Sequence, residues 1–243
     1  MNVSAIVPAA GLGTRMGKAA GKRYGSTRKQ FMKVGGTPIL ALTVSKFLAV
    51  DSIREILVAV PEGSEESARA MLPGTGGSGR VRILAGGRNR QESVGRCVDA
   101  LSEETDLVVV HDGVRPFIPV RLVEDAIRKA EVHRAVILGM PAEETVKQVS
   151  RRVVQATLPR ERIMLVQTPQ VFAFDLLSRA FEKARQDGFV GTDEASLVEH
   201  LNEDVYLMRG SERNIKITGP HHMALAQLYL EQENRETASD RRV

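Results

Sequence analysis

The sequence predicts an α/β protein: a doubly wound, mostly parallel sheet with one hairpin projecting from it. Short runs dominated by apolar residues without polar alternation, such as Val3–Val7, Ile53–Val60 and Leu107–Val110, alternate with segments whose apolar residues recur at helical spacing. A run without polar alternation is buried on both faces, as in a parallel sheet covered by helices. Between Glu143 and Pro159 that rhythm breaks, and β-branched residues flank a basic pair, Arg151-Arg152.

Val3–Val7 ends at Pro8 and reads as the first strand. Ala9 to Gly36 is a long loop rich in Gly and basic residues, and Pro38 to Val50 is a helix with Leu40, Val44, Phe47 and Leu48 on its apolar side. Ile53–Val60 is a strand. Ser64 to Leu72 is a short helix with Ser64 as its N-cap. Val81–Ala85 is a strand, Glu92 to Leu101 a helix, and Leu107 to His111 an apolar strand with a polar tip. Pro119 to Val132 is a helix and Ala135 to Met140 a strand. Thr145, Val146, Val149, Val153, Val154 and Ala156 suggest the two strands of a hairpin, which as an exposed apolar arm is expected to pack on a second subunit. Helices follow at Phe174–Gln186 and Glu194–Leu201, short strands at Val205–Met208 and Ile215–Ile217, and a closing helix at Pro220–Glu231. These elements make one Rossmann-like domain over residues 1–232, with the arm at about 141–160 and a disordered tail expected at 233–243. In such sheets ligands bind outside the carboxyl ends of the strands, so the loops after Val7, Ala85 and Val110 should open on one edge.

Among 243 residues the only cysteine is Cys97, which excludes a disulfide framework and a Cys-rich metal site and suits a cytoplasmic protein. No apolar run reaches membrane-spanning length, and the first residues read as a strand rather than a leader. The net charge of +4 is unevenly placed: residues 1–50 hold no Asp or Glu but eight cations, including Arg15, Lys18, Arg28, Lys29 and Lys33. Such a block implies an anionic partner, nucleic acid or polyphosphate. Aromatic residues make up only 4% and Trp is missing, which is poor for stacking bases and disfavours nucleic acid.

The polyphosphate reading is supported by Pro8-Ala9-Ala10-Gly11-Leu12-Gly13-Thr14-Arg15-Met16-Gly17. Gly11, Gly13 and Gly17 are one residue too widely spaced for a dinucleotide fingerprint, and Leu12 and Ala19 break a P-loop. What remains is a small-residue turn whose amides can approach an anion, with Arg15 as a charged fork matched to phosphate oxygens. Asp112 follows a strand end, either as a ligand residue or as the cap of its own turn. His111 and Cys97 read as structural, and Asp193 as a helix cap or a ligand residue.

Pro8–Met16 resembles the signature loop of the sugar-nucleotide pyrophosphorylase superfamily, and Arg28-Lys29-Gln30-Phe31 its second signature, with Arg28 where Pro is usual. Gly86-Gly87-Arg88-Asn89-Arg90-Gln91-Glu92-Ser93-Val94 and His111-Asp112-Gly113-Val114-Arg115-Pro116 resemble stretches of the methylerythritol phosphate cytidylyltransferases. Gln167-Thr168-Pro169-Gln170, Thr192-Asp193-Glu194-Ala195-Ser196 and Asn214-Ile215-Lys216 match the same family in order, so the resemblance spans nearly the whole chain.

The resemblance implies a CTP-dependent nucleotidyltransferase with a small sugar-alcohol phosphate as acceptor. It assigns Arg15, Lys29 and Lys216 to the reacting phosphates. Ala9, Ala10, Gly11, Gly13, Gly87, Arg88 and Ser93 go to CTP. Asp112, Arg115 and Thr168 go to the acceptor, joined by Thr145 and Arg160 from the arm of a neighbouring subunit in a homodimer. Magnesium is expected as cofactor, held mainly by the CTP phosphates with Asp112 as a candidate ligand. A phosphate monoester has a second pKa near about 6 and is already a nucleophile at neutral pH, so no general base is needed. Methylerythritol 4-phosphate and ribitol 5-phosphate both remain open as acceptors on chemistry alone; the motif set favours the first.

Overall fold

The computed structural model describes residues 1–11, 25–26, 28–76 and 79–240, so Gly13 and Arg15 lie outside the described residues. The sheet is centred on β1 (Val3–Pro8). In chain order come β2 (Lys33–Val34), β3 (Thr37–Pro38), β4 (Ile53–Val60), β5 (Val81–Ala85) and β6 (Leu107–Val110). They are followed by β7 (Ala135–Pro141), β8 (Val146–Ser150), β9 (Val153–Leu158), β10 (Met164–Ala173) and β11 (Tyr206–Arg209). Seven of these form one sheet in the order β11-β7-β10-β6-β1-β4-β5. β1 pairs in parallel with β4 and β6, β4 with β5, and β11 with β7. β10 alone runs antiparallel, between β6 and β7.

Every residue from Val3 to Val7 is buried, as are all four of β6, so both faces of the central strands are covered. The covering helices are α1 (Ile39–Leu48), α2 (Glu65–Met71), α3 (Arg90–Val98), α4 (Val120–His133), α5 (Phe174–Asp187) and α6 (Glu194–Glu199). A second core of Met32, Val34, Ile39, Val114, Phe117, Ile217, Met223 and Ala226 lies beneath the closing helix α7 (Pro220–Asp240). There Tyr229 meets Phe117 edge to face at 5.6 Å, and Lys46 pairs with Glu233 at 2.8 Å.

The arm is present as β8 and β9, with Ser150 opposite Val153 and a two-residue turn between them. Arg151 and Arg152 both take positive φ, 48° and 67°, a conformation that such tight turns demand and that Gly usually supplies. The β2–β3 turn meets the same demand with Gly35 and Gly36. Val149, Val153 and Val154 on the arm and Leu165 and Val166 on β10 are exposed.

Several boundaries differ from the sequence reading. Ser64 stands at the N-cap of α2, yet its hydroxyl accepts from Arg28 instead of capping. α3 begins at Arg90, two residues early, because Asn89 caps it by accepting from the Glu92 amide at 2.8 Å. Ile215–Ile217 is not a strand; the Ile217 amide reaches the Val114 carbonyl at 2.9 Å, but no ladder forms. Lys33 lies exposed on β2, inside the stretch read from the sequence as a loop. The closing helix continues to Asp240, so residues 233–240 are helical where a disordered tail was expected. The ten-residue β10 has no counterpart in the sequence reading. No described helix is long and apolar enough to cross a membrane.

Candidate active site

The parallel register carries the loops after β1, β5 and β6 to one edge. The Ala9 amide donates to Ala59 O at 2.7 Å, the Gly86 amide to Val60 O at 2.7 Å, and the Gly113 amide to Pro8 O at 3.2 Å. A cavity opens there, lined by Pro8–Gly11, Lys29, Gln30, Gly87–Arg90, Ser93, Asp112, Val114 and Lys216. The three loops singled out in the sequence therefore converge, and Ala9, Ala10, Gly11, Lys29, Gly87, Arg88, Ser93, Asp112 and Lys216 share one wall or another of it.

Gln30 binds two of these segments together. It is buried in the 3-10 turn Lys29–Phe31, and its side-chain amide donates to Ala9 O at 2.7 Å and Gly11 O at 3.2 Å. The Ala9–Gly11 segment and the Lys29 turn are thereby tied together. On the facing wall, the Ser93 hydroxyl accepts from the Gly87 amide at 3.0 Å and donates to Asn89 O at 2.7 Å. The Glu92 carboxylate also accepts from the amide of Arg88, the residue before the cap, at 3.0 Å. Gly86 admits no side chain, since a Cβ there would stand 2.3 Å from that of Ala10. Close approach of the two loops requires glycine at this position.

A second cavity adjoins the first and shares Arg90, Asp112 and Lys216 with it; Arg115, Thr168 and Thr192 are among its other lining residues. Asp112 stands at their junction. Its Oδ1 accepts from Arg90 Nε at 3.0 Å, and its Oδ2 lies 2.6 Å from Lys216 Nζ and 3.7 Å from Arg115 Nε. Its backbone amide donates to Thr168 Oγ1 at 3.0 Å. Burial alone would raise the Asp112 pKa, but Arg90, Lys216 and Arg115 outweigh it and hold the carboxyl well below the usual range. Asp112 is thus a shared ion-pair centre, not a carboxylate capping its own turn.

Arg115 is nearly buried, and its Nη1 donates to Asn214 O at 2.7 Å. Asn214 is fully buried and donates to Thr168 O at 2.7 Å and Gln167 Oε1 at 3.0 Å, so β10 and the segment leading to Lys216 are tied together. His111 is structural, as the sequence suggests. Its Nε2 meets Arg115 O at 3.0 Å and its Nδ1 the Thr168 hydroxyl at 3.2 Å. Burial pulls its pKa down to about 4, so it is neutral at pH 7 and offers the cavities no charge. Asp193 caps α6 by accepting from the Ser196 amide at 3.1 Å. Cys97 is a buried small hydrophobe whose thiol pKa is pushed up to about 12 by that burial.

Thr145 and Arg160 line neither of these cavities: both are exposed near the base of the arm, where Arg160 Nη1 donates to Glu143 O at 2.7 Å. Their side chains stand outside the site built by one chain. Arg90 and Glu194 carry a role that sequence reasoning missed. Arg90 bridges Asp112 and the buried Glu194, meeting Glu194 Oε1 at 2.7 Å, and burial pushes the Glu194 pKa up despite that pairing. Both residues stand inside quoted motifs, but nothing in their spacing shows that residues 104 apart in sequence meet. Among the described residues no three His, Cys, Asp or Glu side chains converge as a metal-binding group. Asp112, already shared among three cations, does not fit the role of a magnesium ligand.

Comparison with known proteins identifies this architecture. The family model described as 2-C-methyl-D-erythritol 4-phosphate cytidylyltransferase matches residues 3–232. The chain belongs to this family. Among 2-C-methyl-D-erythritol 4-phosphate cytidylyltransferases, that of Solibacter usitatus is 50% identical over 96% of this chain and 97% of its own length. The one from Acidobacterium capsulatum is 44% identical over 96% of this chain and 99% of its own. The crystal structure of the cytidylyltransferase from Thermus thermophilus superimposes with a TM-score of 0.76 at 34% identity, covering 94% of this chain and 98% of that one. The 4-diphosphocytidyl-2C-methyl-D-erythritol synthase of Anaerococcus prevotii gives 0.80 at 31%, with coverages of 94% and 96%. As a member of the 2-C-methyl-D-erythritol 4-phosphate cytidylyltransferase family the chain is a nucleotidyltransferase, and the mostly parallel sheet with flanking helices is the architecture it shares with those structures.

Proposed function

We propose that this chain transfers the cytidylyl group of CTP to 2-C-methyl-D-erythritol 4-phosphate, giving 4-diphosphocytidyl-2-C-methyl-D-erythritol and pyrophosphate in the non-mevalonate route to isoprenoid precursors. Besides family membership, one observation carries the reading: two adjoining cavities share Arg90, Asp112 and Lys216, so two phosphate-bearing ligands can meet over a cationic cluster. An oxygen of the acceptor phosphate attacks the α-phosphorus of CTP. The new P–O bond forms as the bond from the α-phosphorus to the bridging oxygen breaks, and pyrophosphate leaves in line. The acceptor is already dianionic, which agrees with a site whose one buried histidine is neutral and engaged.

In this reading Arg15 and Lys29 hold the triphosphate, and Lys216 neutralises charge as it crowds onto the reacting phosphates. The amides of Ala9 to Gly11 and the Gly87–Ser93 wall seat the nucleotide, and Gly13 extends the same loop. Arg115, Thr168 and Asp112 face the acceptor cavity. Thr145 and Arg160 act from the arm of a second copy, for which the exposed valines of the arm supply an apolar contact surface. Magnesium enters with the CTP phosphates. A cytoplasmic setting suits a buried, unpaired Cys97.

Pyrophosphate release with CTP and magnesium tests the activity, comparing 2-C-methyl-D-erythritol 4-phosphate with ribitol 5-phosphate. Release with the first alone is expected, and release with the second alone would move the protein to another acceptor. Light scattering is expected to give twice the mass of the 26.6 kDa chain; a fully active monomer would remove the arm from the site.

A further inference from the structure

A buried carboxylate with a single cationic partner holds that partner fast, because separation leaves an uncompensated charge away from water. Lys216 Nζ lies 2.6 Å from Asp112 Oδ2, and a lysine locked there could not serve a ligand. Asp112, however, has three cations of unequal freedom. The Lys216 side chain is 38% exposed on a flexible stem, while those of Arg90 and Arg115 are 28% and 10% exposed. Arg115 is held by its bond to Asn214 O and stands 3.7 Å from the carboxylate. Among the described residues Arg90 alone engages Oδ1, at 3.0 Å, and it is fixed at its other end. Its Nη1 meets Glu194 Oε1 at 2.7 Å, and the Glu194 side chain is 1% exposed.

Glu194 is in turn anchored. Gln170 Oε1 on β10 accepts from the amides of Glu194 and Ala195, each at 3.1 Å, and Gln170 Nε2 donates to Asp193 Oδ2 at 2.6 Å. Gln170, Glu194 and Ala195 are buried, and Arg90 at 28% is less exposed than Lys216 at 38%. Arg90 therefore stays on Asp112 whatever enters the cavities, whereas Lys216 is able to move.

We propose that Arg90, clamped by Glu194, is a positioning residue that keeps Asp112 compensated so that Lys216 can leave it for the reacting phosphates. The proposal rests on the reading of Lys216 as a phosphate-binding lysine. Without Arg90, Oδ1 has no close cation among the described residues, and Lys216 becomes the main counter-charge of a buried carboxylate. The lysine is then retained on Asp112, and the phosphates lose it.

A double-mutant cycle on the full-length protein tests this, with Arg90→Gln, Asp112→Asn and both together. Affinity for CTP with magnesium is read by calorimetry, kcat and KM for the acceptor by pyrophosphate release, and folding by thermal melts. Arg90→Gln is expected to weaken phosphate-dependent binding or raise the acceptor KM about tenfold or more. In the Asp112→Asn background, where no carboxylate retains Lys216, the same change is expected to cost less than about twofold. Equal losses in both backgrounds would mean that Arg90 acts on the ligand itself, and would overturn the proposal. If Arg90→Gln melts below the assay temperature, the same cycle is run at a lower temperature at which all four proteins are folded. Lys216→Ala separates the premises. If that variant binds and turns over normally, the phosphate reading of Lys216 fails; if it is impaired while the cycle is additive, only the Arg90 assignment fails.

Discussion

Replacing Lys216 by alanine is expected to cut turnover about 10²–10³-fold, the usual cost of removing one fixed charge from a phosphoryl-type transition state. The fold is expected to survive. Lys216 is partly exposed, and without it Asp112 keeps Arg90 at 3.0 Å and Arg115 at 3.7 Å, so no buried charge is left alone. The melting temperature is expected to stay within about 2 °C of the parent. Steady-state pyrophosphate release and a thermal melt on the same sample check both halves. A large fall in melting temperature with turnover in proportion would make Lys216 a structural residue.

Asp112→Ala has the opposite balance. It removes the shared anion from Arg90, Arg115 and Lys216, leaving the nearly buried Arg115 without its carboxylate. Breaking a buried pair from one side costs about 3–5 kcal/mol, so urea midpoints at pH 7 should fall well below those of the parent. The sign of the pH dependence follows from the depressed pKa of Asp112. Its stabilising contribution is fully present above the unfolded aspartate value of about 3.9 and is lost as pH falls below it toward the folded value. Urea midpoints measured from pH 6 downward should therefore drop more steeply for the parent than for Asp112→Asn. Parallel curves would show that Asp112 is not held ionised by its three neighbours.

The parallel core was legible in the sequence because burial on both faces writes itself as runs dominated by apolar residues, such as Ile56–Val60; the strands Ile53–Val60 and Val81–Ala85 match residue for residue. The arm was legible because its β-branched residues flank a basic turn. β10 was not, for a physical reason. Pro169 lies inside it, and proline argues against a central strand. The strand accommodates it where its pairing with β7 shifts register between Gln167 and Gln170, and no local signal announces such a shift. The loops of the site could be placed from strand ends alone. The Arg90–Glu194 contact could not, because it depends on how α3 and α6 come together in space. Arg15 and Gly13 rest on their motif, lying outside the described residues.

The second core has a consequence for how the protein comes into being on the ribosome. Met32, Val34 and Ile39 follow the Lys29 turn, Val114 and Phe117 flank Arg115, and Ile217 adjoins Lys216, yet all belong to one cluster with Met223 and Ala226 of the closing helix. Synthesis runs from the N-terminus, and β1, β4, β5 and β6 can assemble as soon as residue 110 has emerged. The core beside the Lys29 turn is complete only when α7 arrives. The nascent chain thus acquires the β1–β4–β5–β6 half of its sheet long before the second core is complete, and translation that stops short of residue 220 leaves that core without Met223 and Ala226.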